Sequence, residues 1–471
     1  MTRTARLLAL AALAGSVACK QQEAPKVATL SIAQVIDRTG SIATPSWSDS
    51  IRLAVGTANQ ALKQAGNATV HFEIVDGNSG NSPDMSQAAA LEAVKKQGAK
   101  AVITDSSQDD IAVNMLAYDE DPARVLEVPV VCMACTSPNI NNPAATDASP
   151  VKQAALRNGK GWNFRTTLSD AYQARVLAHM LIASANNGDA NGDRRVKVAI
   201  YASDDPYGRG FSESLKRDVL QLSPQAAVEQ IFHDVKAVPT EYNWAADVAR
   251  LTDAKNETTG KTDGVPDAVV TISFPKFEVA FTKAWVDSHT KVRLLHTHNF
   301  RAARVLEALS AAVEGQEGTS QAVLGEGPSA RVFADDLKAL TGQAPAFRDA
   351  AAYDAAMTLM LASLHAVKHN ALKDPALLTG AMIRESMRAI NDHRGETVGA
   401  GIPGFARAAQ LIEEGKAIDY QGASGPCDFD AHGDIVAQLA RFRVQGQFVD
   451  MEKYDCVRDR ECPTVRQLGS K

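Results

Sequence analysis

The chain has 471 residues, 45% hydrophobic and 6% aromatic, with a formal net charge of -6 at neutral pH. The acidic balance argues against a nucleic-acid binder, which needs basic charge. The low aromatic content disfavours a sugar-stacking groove, although four Trp are present.

The N-terminus comes first in chain order. Arg3 and Arg6 precede an apolar run over residues 7–13, and Ala14, Gly15, Ser16, Val17 and Ala18 lead into Cys19. A charged head, a short apolar core and a small-residue cleavage site read as a secretory signal peptide, and the run is too short to span a bilayer. Cys19 resembles the lipidated cysteine of the bacterial lipoprotein lipobox, with Ser16 where that motif usually has Leu. The resemblance implies a signal peptide over 1–18, lipid on Cys19 and a tether over 19–27. An ordinary secreted chain that keeps an incidental cysteine is the alternative. Removing the leader leaves about 450 residues, too many for one core, so two or three domains are expected.

The body opens with a mostly apolar strand over 27–36, broken by Gly40, Ser41 and Pro45. Ile51, Ala54, Val55, Ala58, Ala61 and Leu62 then recur at helical spacing. Residues 70–76 alternate as a second strand, 82–97 are helical, and 101–103 form a short strand ending at Thr104-Asp105-Ser106-Ser107. A helix over 110–116 and a strand over 128–131 follow. Short apolar strands separated by helices argue for a parallel sheet covered on both faces.

The rhythm restarts after Lys160, with a helix over 172–184, a polar loop over 186–195, a strand over 196–201 and a helix over 210–222. A helix over 243–254, a polar loop over 256–263, a strand over 268–272, a helix over 276–288 and a strand over 292–296 complete a second unit. Asp189, Asn191 and Asp193 are spaced like the start of a calcium loop but lack its later glutamate, so a solvated loop is expected. The remainder reads as helices over 351–369, 375–390 and 402–414, turn residues over 420–435 and late strands over 436–448. That mixture suits a chain that crosses back to finish earlier lobes. The expected fold class is α/β, with two Rossmann-like lobes whose parallel sheets are joined by hinge crossovers.

An exported chain permits disulfides. Cys456 and Cys462, close together near the C-terminus, are expected to pair. Cys132 and Cys135 have the spacing of a redox motif, but they follow a strand rather than start a helix; a local bridge, or a bond from either to Cys427, is the better reading. No convergent metal-ligand spacing is visible. No cofactor is expected. No nucleophile elbow, HExxH or P-loop occurs, so an enzyme is not expected.

Ligands bind open α/β sheets at the carboxyl ends of the strands. Ser106, Thr136, Tyr207 and Phe274 each follow a predicted strand directly, and Gly- and Ser-rich loops expose N–H groups that can hold a carboxylate. The lobe-1 candidates are Ser106, Ser107, Ala134, Cys135 and Thr136. Either serine can instead serve as a helix N-cap, and Asp105 can do the same.

These segments together resemble the type I periplasmic binding proteins, specifically the branched-chain (Leu/Ile/Val) amino-acid receptor family of ABC importers. Asp105-Ser106-Ser107 falls where that family places a ligand-binding serine. Cys132-Met133-Ala134-Cys135-Thr136-Ser137-Pro138 looks like its small-residue loop. Phe164-Arg165-Thr166 matches its crossing strand, and Asp204-Asp205-Pro206-Tyr207-Gly208-Arg209-Gly210 its second-lobe signature, whose tyrosine faces the ligand. Tyr420-Gln421-Gly422-Ala423-Ser424-Gly425, with Phe429, Asp430 and Gly433, is the strongest match. The resemblance implies lobe 1 from 28–166 and 303–418, lobe 2 from 167–302 and 425–455, and a tail over 456–471.

One departure stands out. The family usually supplies a second-lobe acid for a ligand ammonium where this chain has His298. Asp105, Asp170, Asp204 or Asp205 could take that role, and Trp47, Phe274 and His298 could flank a larger or flatter ligand. The implied function is a lipid-anchored, monomeric solute-binding protein on the periplasmic side of the envelope. It would capture a small polar solute, an amino acid or related compound, by lobe closure and deliver it to an ABC permease in the inner membrane. The membrane contact would run through lipid on Cys19. A ligand-sensing lobe pair not coupled to import is the alternative.

Overall fold

The computed structural model describes residues 27–455 apart from 41, 68, 184 and 253–263. The signal peptide, Cys19, nearly all of the tether, Ser41, the polar loop over 256–263, the tail and the expected Cys456–Cys462 bridge therefore lie outside the described residues.

Among the described residues, fourteen strands form three sheets. The first five are β1 (Ala28–Ile36), β2 (Val70–Asn78), β3 (Ala101–Thr104), β4 (Val130–Cys132) and β5 (Asn163–Arg165). They lie in the order β2-β1-β3-β4-β5 and are parallel throughout. The next five are β6 (Lys197–Ser203), β7 (Ala227–His233), β8 (Ala268–Ile272), β9 (Arg293–His296) and β10 (Glu317–Gln321). A small parallel pair, β11 (Glu396–Val398) and β12 (Ile418–Tyr420), precedes the final hairpin, β13 (Gln438–Val444) and β14 (Phe448–Asp455). The second large sheet runs β14-β13-β10-β9-β8-β6-β7, parallel from β7 to β10 and antiparallel at the hairpin edge. The α/β class with two lobes of parallel sheet is thus observed.

Local sequence explains the helices that cover these sheets. Pro45–Gln64 starts on a proline, whose fixed φ suits the first turn, and buries Trp47, Ile51, Ala54, Val55, Ala58 and Leu62 along one stripe. Each large aliphatic side chain buried there contributes about 1.5–3 kcal/mol. Asp349–His369 is long and apolar enough to cross a membrane, but nearly all of it is buried between helices Pro45–Gln64, Gly380–Ser386 and Gly401–Glu413. It is the core helix of the first lobe.

Three crossovers join the lobes and touch one another. The Thr167 hydroxyl donates to Gln321 Oε1 at 2.8 Å, Leu168 pairs with Ile435, and the Gly325 N–H donates to the Ala423 carbonyl at 2.8 Å. The return to the first lobe comes later than the expected residue 303. The helix Ala303–Leu309 packs on the second-lobe helix Pro275–Asp287, and β10 is a strand of the second sheet. β10 reads Glu-Gly-Thr-Ser-Gln, which carries no apolar signal although every residue in it is buried.

Candidate functional site

The carboxyl ends of β1, β3 and β4 face those of β6, β8 and β9, and the lobes meet there. The Ser137 hydroxyl of the first lobe donates to the Pro206 carbonyl of the second at 2.8 Å. Arg304 Nη2 donates to the Ala43 carbonyl at 3.0 Å. Gly210 allows this approach, since a Cβ there would lie 2.6 Å from Ser137 Oγ.

On the first lobe, Ser106 is the N-cap of the helix Ser107–Met115 and accepts from the Asp109 N–H at 3.2 Å. Ser107 Oγ accepts from the Ser137 N–H at 3.2 Å, tying the two candidate binding loops together. Asp105 is not the cap. Its Oδ2 accepts from the Asp37 N–H at 2.7 Å, and its Oδ1 is buried without a hydrogen bond. Burial, with the nearby Asp109 and Asp37 charges, holds this carboxyl well above the usual range.

The loop after β4 is closed by a Cys132–Cys135 disulfide, and Cys427 is a buried free thiol. Of the readings open for these cysteines, the local bridge is the one observed. Arg165 Nη1 holds the loop by donating to the carbonyls of Cys135 and Ser137 at 3.2 and 2.9 Å. The Thr136 carbonyl accepts from the Asp170 N–H at 2.8 Å. The Ala134 carbonyl points to Arg348, whose Nη1 donates to it.

On the second lobe, Tyr207 shares a hydrogen bond with the Thr297 hydroxyl at 3.1 Å. Its ring centroid lies 5.6 Å from Phe274 and 5.3 Å from His298. His298 stacks across the cleft on Phe347, at 5.8 Å and 29°. Gln173 Nε2 donates to the Thr319 carbonyl, so its Oε1 faces His298 Nδ1 at 3.0 Å and makes that nitrogen the protonated one. Burial and the Arg348 charge push the His298 pKa well down, leaving the ring neutral.

Two ionisable groups complete the site. Asp170, the first residue of the helix Asp170–Ile182, is 1% exposed, and its Oδ1 lies 3.5 Å from His298 Nδ1. Burial raises its pKa well above the usual range, against the pull of the Thr136 hydroxyl and Arg348. Arg348 is 6% exposed and caps the N-terminus of Asp349–His369 with φ 73°. Its Nε has no hydrogen bond, and its guanidinium sits 4.9 Å from the Phe347 ring centroid. Burial pulls its pKa down to about 10, still charged at neutral pH, with Asp170, Tyr207 and Asp105 acting in the opposite direction.

Ala134, Thr136, Tyr207, Phe274, His298 and Asp105 thus gather around Arg348 and Asp170. Cys135 faces its disulfide partner and Arg165. Trp47 supports the cleft from behind, donating Nε1 to the Phe347 carbonyl at 3.2 Å. Of the other acids weighed as ammonium partners, Asp204 pairs with Arg209 on the surface and Asp205 caps the helix Pro206–Leu222. Sequence reasoning missed Arg348. The available signal was its position: a cation at a helix N-terminus opposes the macrodipole.

No protein-family model matches the sequence, and no curated protein does. Solved structures do match. The leucine-binding protein LivK from Thermotoga maritima MSB8 is 18% identical, over 90% of this chain and 98% of its own, with a TM-score of 0.63. LivJ, a branched-chain amino acid transporter substrate-binding protein from Streptococcus pneumoniae in complex with isoleucine, is 15% identical over 90% and 99%, at 0.59. A solute-binding protein of an R. palustris ABC transporter in complex with benzoate is 13% identical over 94% and 98%, at 0.64. Together with the two parallel sheets and their triple crossover, these likenesses show that the chain has the fold of the type I periplasmic binding proteins.

Proposed function

We propose that this chain is an extracytoplasmic solute-binding protein of an ABC importer. It traps a small polar solute between its lobes and presents the closed form to a membrane permease. The observation that carries this reading is the set of buried ionisable groups, Asp105, Asp170 and Arg348, walled by Tyr207, Phe274, His298 and Phe347 at the meeting of two sheet ends. Such groups are costly unless something compensates them. Solute-binding relatives of this fold hold leucine, isoleucine or benzoate in their structures, which supports a small carboxylate-bearing ligand. Ser106, Ser107, Ala134, Cys135 and Thr136 would shape the first-lobe face, and Tyr207, Phe274 and His298 the second. Trp47 would brace the first lobe behind Phe347. Lipid on Cys19 would keep the protein at the membrane as a monomer.

A thermal-shift screen of mature protein against amino acids, small organic acids, amides and short peptides tests the reading. A ligand at 100 times its Kd adds about 2.7 kcal/mol to the native state, and Tyr207→Ala should abolish that gain. A flat response to every class would sink solute capture. Acyl-chain labelling lost in Cys19→Ser would establish the anchor, and absence of label in the wild type would remove it.

A further inference from the structure

Arg348 combines three unfavourable features in one residue. Its φ of 73° lies in the left-handed region, which is strained for a non-glycine residue. Its charge stands at the positive end of a 21-residue helix. Its guanidinium is buried, and among the described residues it donates to the Ala134 carbonyl alone and leaves Nε unpartnered. Strain of this kind persists where the surrounding structure requires the group.

The placement shows what the group does. A carbonyl oxygen can only accept, so the Ala134 carbonyl is suited to an N–H donor such as a ligand ammonium. Arg348 already holds that position. It also lies close to the buried carboxyl groups of Asp105 and Asp170, which could otherwise pair with an ammonium. Burial favours the protonated form of both acids, which leaves the guanidinium as the dominant charge, with a free Nε–H. The nearby rings of Tyr207, Phe274, His298 and Phe347 add apolar faces and no further cation.

The geometry points to Arg348 as a built-in substitute for a ligand ammonium, so that the cleft selects monoanionic carboxylates lacking an α-amino group over α-amino acids. This rests on the solute-capture reading above and narrows it to one ligand class. The ligand carboxylate would accept from the free N–H groups of the guanidinium, and its apolar part would lie against the rings. An α-amino acid would bring a second cation beside the guanidinium, at a carbonyl that already accepts from it.

Titration calorimetry at neutral pH with matched pairs tests this: 4-methylpentanoate against leucine, 3-phenylpropanoate against phenylalanine, with benzoate alongside. At least one des-amino acid should bind 100-fold or more tightly than its amino-acid counterpart. Arg348→Met should lose that affinity by a similar factor, whereas Arg348→Lys should recover most of it. Leucine or phenylalanine binding the wild type as tightly as its des-amino partner would overturn the inference and leave solute capture standing. Carboxylate affinity unchanged in a folded Arg348→Met variant would do the same, as would a ligand set confined to neutral solutes. Binding of no solute by the wild type would overturn both. The wild-type comparison decides the matter even if Arg348→Met does not fold.

Discussion

Arg165 and Asp434 form a bidentate ion pair, Nε and Nη2 of the arginine donating to the two carboxylate oxygens at 2.7 and 2.6 Å. The pair joins the last strand of the first sheet to the final crossover. The same guanidinium carries the carbonyls of Cys135 and Ser137 through Nη1, so one fully buried side chain sets both hinge and binding loop.

Asp434→Ala should therefore destabilise the protein by about 2–4 kcal/mol, because it strands a buried guanidinium. The value falls toward the low end since the Asp434 side chain is 22% exposed. Urea denaturation reads the loss as a lower midpoint. An unshifted midpoint would show that the pair does not hold the hinge.

A second anchor is the Asp354 carboxylate of the core helix. It accepts from the Tyr420 hydroxyl, the N–H groups of Ala423 and Ser424, and the Ser424 hydroxyl, at 2.8, 2.9, 2.7 and 2.6 Å. Gly422 is required beside it, since a Cβ there would lie 2.4 Å from Asp354 Oδ2. Asp354→Ala should cost about 3 kcal/mol or more, and Gly422→Ala about 1–3 kcal/mol through overpacking. In the double variant the glycine penalty should shrink, because the atom it strikes is gone. Strict additivity in a double-mutant cycle would argue against the contact.

Stability should also depend on pH through Asp110. Burial raises its pKa to about 7, against hydrogen bonds from Asn163 and Thr104. The folded state thus holds a proton that the unfolded chain releases near pH 4. The group's contribution is complete below about pH 4 and is lost as pH rises to about 7, a change on the order of 2–4 kcal/mol. Asp110→Asn should flatten that part of the curve of melting temperature against pH. A slope between pH 5 and 8 as steep in the variant as in the wild type would refute the assignment.

The parts of the fold visible in the sequence share one trait, that side chains there bury against apolar neighbours. Ala101 to Ile103 announces a strand because nothing in it is polar, and the serines after it mark the strand end where ligands of such sheets sit. β7 escapes because it is a sheet edge with most of its residues only half-buried. β10 escapes for the opposite reason. It is central and wholly buried, yet polar, and its side chains are satisfied by tertiary partners: Glu317 by Arg441 and Arg443, Gln321 by Thr167 and Leu168. No local pattern encodes those partners. The candidate loops were legible for the same strand-end reason. Arg348 was not, because its neighbours Ala134, Asp105 and Asp170 come from distant segments.

The Cys132–Cys135 bridge supports one last expectation. Both sulfurs belong to fully buried residues, and the loop they close presents the Ala134 carbonyl to Arg348. A loop this short gives about 2 kcal/mol by restricting the unfolded chain. Replacing both cysteines by alanine should lower stability by about that amount and weaken ligand binding several-fold, since the carbonyl would no longer be held in place. In the intact protein the bond should resist dithiothreitol until the chain unfolds, so reduction, followed by mass spectrometry of alkylated peptides, should track the urea transition. Rapid reduction of the folded protein would mean that the first lobe opens locally around this loop, and the binding surface could then not be as rigid as its clamps imply.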